Sequence, residues 1–358
     1  MSGLDQSAEL DRAVALALAD RPLDPAALAA VLSVAASGAE AGAASATGWP
    51  DAADDAADDF EALLSGARAV RRQFFAAELH LCAIVNAKSG ACSEDCAFCA
   101  QSGRHSSKSP RHAFLDPQEI GHAAQAMKQR GASRFGIVAS GLAPTGDEFE
   151  RLLEAVALVR AAGLAADVSV GLLSPARLER LKAAGLSGVH HNLETARSFF
   201  PQICTTHAYD EDVEAVRLAL AAGLFVCSGG IFGLGESWEQ RAELALTLRE
   251  LGVRNVPVNF LVPIPGTRLE HRLALSPAEA LGILALLRLI MPRANLRVCG
   301  GRDTVFGQAG GAGQRMLFDS GASGLMIGDY LTLKGGPAEA DLALARELGL
   351  EPVAERGV

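Results

Sequence analysis

Three cysteines, Cys92, Cys96 and Cys99, lie within one short stretch of the chain. The spacing C-x3-C-x2-C puts three thiolates on one glycine-bounded loop, which suits a cubane 4Fe-4S cluster whose fourth iron has no protein ligand. An iron with an open coordination position can bind and reduce a substrate. The pattern therefore predicts an iron–sulfur site that takes part in a reaction.

Two other interpretations of these cysteines stay open. A tetrahedral zinc site would need a fourth Cys or His at local spacing. The next histidines, His105 and His112, follow only after Ser- and Arg-rich sequence. The three thiols could also be unrelated to one another, so the residues by themselves favour the iron–sulfur cluster without excluding either alternative.

Composition excludes several classes of protein. The chain has 358 residues, of which 49% are hydrophobic, and this is enough for one large core. The net charge of −10 argues against nucleic-acid binding, because a phosphate-binding surface needs clustered Lys and Arg. There is no uninterrupted apolar run of about 18 residues and no signal-like start, so we expect no membrane association and a cytoplasmic protein. In such a protein, the seven cysteines are better interpreted as thiols or metal ligands than as disulfides.

The first 63 residues differ from the rest. Residues 10–32 have apolar residues at helical spacing, interrupted by Pro22 and Pro25. An Ala/Gly/Ser/Asp-rich stretch follows, with paired aspartates in residues 51–59. We predict an N-terminal helical segment over residues 1–63, with a mobile insertion or a solvated helix start, followed by one catalytic domain over residues 64–358.

Short β-like runs alternate with helical ones in that second part. The predicted strands are residues 80–85, 134–139, 165–170, 188–193, 224–228, 256–261, 295–299 and 325–327. The periodic helical stretches between them include residues 147–162, 175–184, 211–222, 238–251 and 277–291. Eight strands alternating with helices indicate a parallel α/β fold, and at this length a (β/α)8 TIM-type barrel is favoured over an open doubly wound sheet.

Cysteines and polar residues cluster at or just after the predicted strand ends. The cysteine loop follows the first strand, and Asn192 and Glu194 end or follow the fourth. Cys227 lies near the end of the fifth strand, and Cys299 ends the seventh. Barrel enzymes keep their chemistry at the carboxyl ends of their strands, so we expect one active site there.

From about residue 74 to 350 the sequence resembles the biotin synthase family of radical S-adenosylmethionine (SAM) enzymes. The matching segments are residues 88–102, 191–195, 205–206, 226–236, 256–259 and 265–267. A single glycine-rich run would be weak support, but six segments in the same order cover about three quarters of the chain. The resemblance implies that Cys92, Cys96 and Cys99 hold a 4Fe-4S cluster whose free iron binds SAM.

The resemblance also implies the reaction. One electron splits SAM and releases a 5′-deoxyadenosyl radical, which takes hydrogen from dethiobiotin so that sulfur can be inserted twice. SAM would be bound by Phe98, Glu194, Gly229, Gly230, Gly233 and Gly235, and dethiobiotin by Asn192 and Asn259. The glycines could instead only form a tight turn, the asparagines could be capping or turn residues, and Phe98 could be a core residue.

The sulfur-donating site departs from the family pattern. The familiar enzyme holds a 2Fe-2S cluster with three cysteines and one arginine, and this chain matches them only at Cys227 and Arg297. Gly136 and Asp167 stand where the other two cysteines are expected. A 2Fe-2S cluster with the usual ligands is therefore not expected in this chain.

Four cysteines lie outside the cysteine loop: Cys82, Cys204, Cys227 and Cys299. Each could be a small buried hydrophobe. If they border one cavity, they could hold a four-iron auxiliary cluster that donates sulfur, together with Arg297 or Asp167. Some anaerobic relatives resemble this chain and use such a larger cluster.

Several alternatives and partners also follow from the resemblance. Related radical SAM barrels rearrange amino acids or assist hydrogenase maturation, and a non-catalytic iron–sulfur sensor is a further possibility. The resemblance implies an electron donor such as flavodoxin or ferredoxin, and a homodimer. His190, His191 and His207 could contact either ligand, or fill core or surface positions.

Overall fold

The computed structural model describes residues 3–45, 47–51, 55–307, 310–332 and 335–353. The helices are α1 (Gly3–Leu18), α2 (Pro25–Ala44), α3 (Asp55–Phe75), α4 (Pro117–Gln129), α5 (Gly146–Ala161), α6 (Pro175–Ala183), α7 (Phe200–Ile203), α8 (Tyr209–Ala221), α9 (Trp238–Glu250), α10 (Pro277–Ile290), α11 (Arg302–Phe306), α12 (Gly310–Asp319) and α13 (Ala338–Glu347). The strands are β1 (Glu78–Lys88), β2 (Arg134–Ala139), β3 (Ala165–Ser169), β4 (Leu186–His190), β5 (Phe225–Cys227), β6 (Gly230–Phe232), β7 (Asn255–Phe260), β8 (Asn295–Val298), β9 (Gly324–Met326) and β10 (Glu351–Val353).

The strands form a closed parallel barrel. Strands β1 to β5 pair in sequence order, β5 pairs with β7, and β8 and β9 follow. Strand β9 then pairs with β1, which closes the barrel, while β5 and β6 together occupy the fifth barrel position. The predicted (β/α)8 TIM-type barrel is therefore confirmed. The sequence did not predict β10, which pairs with the first residues of β1.

The local sequence explains how the outer helices begin. Helix α5 starts after Thr145, and the Glu148 side chain accepts a hydrogen bond from the Thr145 backbone N–H at 3.1 Å. Helix α10 starts at Pro277, after the N-cap residue Ser276. Its residues from Ala280 to Ile290 are all buried, which is unusual for a barrel helix with one face toward solvent.

The N-terminal helices cover the outer face of α10. Small residues on α2 let the helices approach closely: a Cβ atom on Gly38 would lie 2.2 Å from the Phe60 ring, and one on Gly42 would lie 2.5 Å from the Ala278 Cβ. Helix α2 continues to Ala44, so much of the Ala/Gly/Ser-rich stretch is packed helix and not a mobile insertion. This stretch is ordered because small side chains let neighbouring helices approach closely, so that the helices pack tightly although the stretch has few large apolar groups.

The structure describes only part of the Ala/Asp-rich stretch at residues 51–59. Residues 52–54 lie outside the described ranges, and α3 begins at Asp55, as expected for a helix start. The predicted domain boundary between residues 63 and 64 falls inside α3. The N-terminal helices and the barrel share one hydrophobic core, to which both Phe60 and Leu284 belong.

Helix α2 has the length and apolar composition of a membrane-crossing helix, and it is the one such helix in the described part of the chain. Its buried face, which includes Val31 and Val34, packs against α3 and α10. A core helix of a folded protein meets the same criterion. The expectation that the protein does not associate with a membrane stays a prediction.

Candidate active site

The cysteine loop leaves the carboxyl end of β1. Gly90 and Ala91 turn the chain with φ angles of +80° and +51°. The loop then folds on itself, because the Cys99 N–H donates to the Cys96 carbonyl oxygen at 2.9 Å and the Cys92 N–H donates to the Gln101 carbonyl oxygen at 3.0 Å. Local hydrogen bonds thus hold the three thiols together.

The half-buried thiols of this loop favour a metal. Burial raises the pKa of Cys99 to about 11. A thiolate at this position is therefore costly unless a metal compensates its charge. Three thiols on one loop match the donor set of a 4Fe-4S cluster with one open iron, so these residues fit the cluster that the sequence predicts.

A cavity of about 380 Å³ lies at the carboxyl ends of the strands. All three loop cysteines line it, and so does Cys299 from the end of β8. The residues predicted to bind SAM or dethiobiotin that also line it are Phe98, Asn192, Glu194 and Asn259. The structure therefore places the cysteine loop, these side chains and one of the other thiols around a single space.

Glu194 has an unusual backbone conformation in the cavity wall. Its φ angle is +61°, in the left-handed region that non-glycine residues rarely adopt. Two hydrogen bonds hold it there: its N–H donates to the Gly229 carbonyl oxygen at 3.2 Å, and its carbonyl oxygen accepts from the Ile231 N–H at 2.8 Å. Burial, with a smaller contribution from Asp212, raises the pKa of Glu194 to about 8. Backbone strain of this kind is concentrated at functional sites.

Two of the predicted SAM-binding glycines allow backbone segments to pack closely. A Cβ atom on Gly229 would lie 2.1 Å from the Pro257 carbonyl oxygen, and one on Gly230 would lie 2.4 Å from the Glu194 carbonyl oxygen. The absent side chains thus face protein backbone. A role of these residues in SAM binding stays a prediction and would use their backbone groups.

The other two glycines form a turn around a carboxylate. Gly233 and Gly235 have φ angles of +93° and +115°. Their N–H groups donate to the two carboxylate oxygens of Glu236 at 2.9 and 3.0 Å, and Arg241 donates to the same carboxylate at 2.8 Å. The sequence analysis missed Glu236, although it directly follows the glycine-rich run.

Asn192 and Asn259 connect neighbouring strand ends. The Asn192 Oδ1 accepts from the Gly229 N–H at 3.2 Å. The Asn259 Nδ2 donates to the Gly230 carbonyl oxygen at 3.2 Å, and its Oδ1 accepts from the Gly300 N–H at 3.0 Å. Both amides therefore have a structural role at the cavity, and their predicted contact with dethiobiotin would add to it.

A second group of thiols lies inside the barrel. Cys82 is in β1, Cys227 ends β5, and Cys299 directly follows β8. A hydrogen bond with Cys299 lowers the pKa of Cys82 to about 7, while burial raises the pKa of Cys227 to about 12. The guanidinium of Arg297 is 2% exposed and interacts with all three thiols. This buried positive charge opposes the rise that burial causes in the pKa of Cys227 without cancelling it, and the pKa of Cys299 is also raised, so thiolates at these positions need a metal as well.

Asp167 is bound to an arginine next to this group. Arg134 donates to both of its carboxylate oxygens, at 2.7 and 2.5 Å, and lies 3.5 Å from the centre of the Phe225 ring. Gly136, the neighbour of Asp167 across the β2–β3 ladder, offers no side chain. An ion pair therefore occupies the β2–β3 side, where the family resemblance implies cysteines, and both carboxylate oxygens of Asp167 are already bound to Arg134.

Cys204 does not belong to the inner group, so the expectation that four cysteines border one cavity is wrong. Its Sγ atom lies 3.9 Å from the Sγ atom of Cys96. Helix α7 brings it there, because the Ile203 carbonyl oxygen accepts a hydrogen bond from the Ala97 N–H of the cysteine loop at 2.9 Å. The fourth thiol thus approaches the cysteine loop from a distant part of the chain.

Polar side chains surround Cys204. Ligand-type atoms of Glu94, Cys204 and His207 lie within 4.8 Å of one another. His207 bridges Glu94, with Nδ1 2.9 Å from Oε2, and Asp212, with Nε2 3.3 Å from Oδ2. Hydrogen bonds already join these groups, so we interpret them as a brace between the cysteine loop and the start of α8.

The sequence analysis gave His190 no specific role, and the structure places it at the cavity. It pairs with Cys227 across the β4–β5 ladder and lines the cavity. Its buried Nε2 atom has no hydrogen-bond partner in the described part of the chain. Burial lowers the pKa of His190 to about 4, so the ring is neutral. A neutral imidazole with a free nitrogen is a common metal ligand.

Comparison with protein families supports the assignment of both halves of the barrel. Residues 87–248 match the radical SAM superfamily, and residues 257–351 match the biotin and thiamin synthesis associated domain. A biotin synthase of Nitratidesulfovibrio vulgaris (strain Miyazaki F) is 48% identical over 84% of this chain and 84% of its own length. A biotin synthase of Geotalea uraniireducens is 46% identical over 79% of this chain and 86% of its own.

Solved structures share the fold at low sequence identity. Methylornithine synthase superposes with a TM-score of 0.77 at 20% identity, covering 95% of this chain and 97% of its own. An FeFe-hydrogenase maturase from Carboxydothermus hydrogenoformans gives a TM-score of 0.73 at 17% identity, covering 96% of this chain and 79% of its own. These similarities concern the fold alone. The matched domains and the identity to curated relatives show that the chain belongs to the biotin synthase family of radical SAM enzymes.

Proposed function

We propose that the chain inserts sulfur into dethiobiotin inside the 380 Å³ cavity and takes that sulfur from an auxiliary iron–sulfur cluster. One observation carries the proposal: the cavity contacts both the three loop cysteines and Cys299 of the inner thiol group. A substrate bound between them would have the radical source on one side and the sulfur source on the other. The enzyme's contribution is then to position the substrate and exclude water.

We assign to the cavity side chains the binding roles that the family resemblance implies. Cys92, Cys96 and Cys99 would hold the 4Fe-4S cluster, which together with SAM supplies the 5′-deoxyadenosyl radical. Glu194 would accept hydrogen bonds from the SAM ribose, because a carboxylate is an acceptor at both oxygens. Asn192 and Asn259 each carry a donor and an acceptor, as the cyclic urea of dethiobiotin requires.

We propose that Cys82, Cys227 and Cys299 hold the auxiliary cluster and that the free nitrogen of His190 provides a fourth ligand. The charge of Arg297 supports three thiolates in a buried site. Asp167 is bound to Arg134 and is left out of this set. Imidazole ligands to iron–sulfur clusters have precedent in Rieske centres, and a larger cluster of the four-iron type suits four ligands.

Iron and sulfide analysis of anaerobically reconstituted protein tests this assignment. The unchanged chain should hold about eight irons, because each of two cubanes carries about four. The variant C82A/C227A/C299A should hold about four irons and still cleave SAM with dithionite, but make no biotin. C92A should lose SAM cleavage.

Cys204 provides a matched control, because it is a buried cysteine beside the other group. C204A should retain about eight irons. If the unchanged chain and C82A/C227A/C299A both hold about four irons, the auxiliary cluster does not exist. If C204A loses iron while C82A/C227A/C299A does not, the ligand assignment is wrong.

We further propose a soluble cytoplasmic enzyme that acts as a homodimer and receives electrons from a carrier such as flavodoxin or ferredoxin. The fold resembles those of methylornithine synthase and a hydrogenase maturase, but that similarity does not favour their reactions. A biotin assay under strict anaerobiosis separates the proposed reaction from theirs. A non-catalytic sensor would form no 5′-deoxyadenosine from SAM and dithionite.

A further inference from the structure

Two exposed loops, residues 103–112 and 264–273, lie side by side next to the cysteine loop. They meet where the Ser106 N–H donates to the Gly266 carbonyl oxygen at 3.1 Å. Together they contain five Lys or Arg residues and one Glu, in a chain of net charge −10, so the rest of the chain carries −14. The basic surface consists of Arg104, Lys108, Arg111, Arg268 and Arg272, all of them exposed.

Two of these arginines contact the cysteine loop directly. The Arg104 Nε donates to the Ser93 carbonyl oxygen at 3.0 Å, and the Arg268 Nη2 donates to the Asp95 carbonyl oxygen at 3.1 Å. Ser93 and Asp95 are chain neighbours of the predicted cluster ligands Cys92 and Cys96. A molecule docked on the basic surface would therefore be separated from the cluster ligands by a single layer of loop.

The basic surface also has an apolar part. A groove of about 570 Å³ between the two loops is lined by Pro110, Ile264 and Pro265. Leu273, at the end of the second loop, is 88% exposed. Charged groups around a small apolar area are typical of a protein–protein interface, while a site for a small anion would not need the exposed leucine.

We propose that the basic surface is the docking site of a small acidic protein that carries single electrons. This inference rests on the proposed function, since each SAM cleavage consumes one electron. The reduced carrier would lose one electron, and the 4Fe-4S cluster would gain it. An acidic carrier is repelled by the rest of the chain, whose net charge is −14, and attracted to this region, so the charge pattern directs it to the predicted cluster loop.

The test uses two reductants with the reconstituted full-length protein. Reduced flavodoxin serves as the acidic carrier and dithionite as the small-molecule reductant, and 5′-deoxyadenosine is measured. The variant is K108E/R111E/R272E, because no hydrogen bond or ion pair in the described part of the chain joins these three side chains to the cysteine loop. We expect its flavodoxin-driven rate at low carrier concentration to fall about tenfold or more, through a higher KM for flavodoxin. Its dithionite-driven rate should stay unchanged.

A matched control carries the same change of charge elsewhere. R21E/R217E/R254E reverses three exposed arginines that lie outside the two loops. Its flavodoxin-driven rate should stay within about twofold of that of the unchanged chain, since screening limits charge effects beyond about 10 Å. An equal loss in both variants would mean that net charge, and not this surface, controls the rate, and would overturn the proposal.

A measurement on the unchanged chain covers the case in which K108E/R111E/R272E folds poorly. Raising ionic strength from about 0.01 M to about 0.15 M should raise the KM for flavodoxin several-fold, because the Debye length falls from about 30 to about 8 Å. A flavodoxin KM that is insensitive to both salt and the triple reversal overturns the docking site. Failure of the unchanged chain to cleave SAM with dithionite would instead overturn the proposed function.

Discussion

At the scale of single residues, the position of Cys204 is the least expected feature of the site. Its thiol lies 3.9 Å from Cys96 and within a polar group that includes Glu94 and His207. Without a metal, the Cys96 thiol is the donor and the Cys204 sulfur the acceptor. Once Cys96 binds the predicted cluster it has no S–H left, so the Cys204 thiol would then be the donor to the Cys96 sulfur. Such hydrogen bonds tune the reduction potential of an iron–sulfur cluster, because they stabilise the more negative, reduced state.

We therefore expect C204A to lower the reduction potential of the SAM cluster. One hydrogen bond contributes about 0.5–1.5 kcal/mol, which for a one-electron couple corresponds to a shift of about 20–60 mV. A redox titration followed by electron paramagnetic resonance measures it. C204S keeps a donor and should restore part of the shift, whereas identical potentials in all three proteins would show that the thiol does not act on the cluster.

At the scale of elements, the packing of α2 against α3 and α10 explains how an Ala/Gly-rich segment becomes ordered. Glycines at the helix contacts remove the side chains that would keep the helices apart. Gly38 faces the ring of Phe60, and Gly42 faces Ala278. The stability of this layer should therefore depend on individual methyl groups.

G38A tests this dependence. Its new Cβ atom would lie 2.2 Å from the Phe60 ring, so we expect a loss of about 1–3 kcal/mol in the free energy of unfolding from overpacking. Denaturant unfolding followed by circular dichroism measures the change. The control is G146A at the first turn of α5, where the added methyl group would meet no atom within 4 Å apart from the adjoining backbone of its own helix. Equal effects of the two changes would contradict the packing argument.

At the scale of the whole molecule, closure of the barrel joins the two ends of the catalytic domain. Strand β9 pairs with β1, and β10 continues the sheet on the first residues of β1. A buried ion pair supports this arrangement: Arg302 in α11 donates to both carboxylate oxygens of Asp341 in α13, at 2.8 and 2.9 Å. The last part of the chain is thereby attached to the barrel.

D341A should destabilise the protein by about 3–5 kcal/mol, because it leaves the buried charge of Arg302 without its partner. Thermal unfolding gives the loss, and amide hydrogen exchange should show that β10 opens first. E339A removes a carboxylate from the same helix that is 70% exposed, and it should change stability by less than about 1 kcal/mol. A similar effect of both variants would mean that the ion pair does not hold the C-terminal segment.

The sequence determined those features that depend on local spacing. Cys92, Cys96 and Cys99 are close in the chain, so their separation alone indicated a shared metal. Alternating strands and helices predicted the barrel, because right-handed parallel crossovers leave few other ways to bury eight apolar strands. The absence of two expected cysteines at Gly136 and Asp167 was also visible in the sequence.

Only the tertiary structure decided which distant residues meet. The spacing of the cysteines could not show that Cys204 lies next to Cys96 and not next to Cys227. Nor could the sequence show that Arg134 binds Asp167. Each contact is made by elements that are far apart in the chain. The same holds for α2, whose small residues suggest mobility until Phe60 and α10 are placed against them. Local patterns record what a segment can form, whereas contacts across the barrel depend on how all of its strands are arranged around the axis.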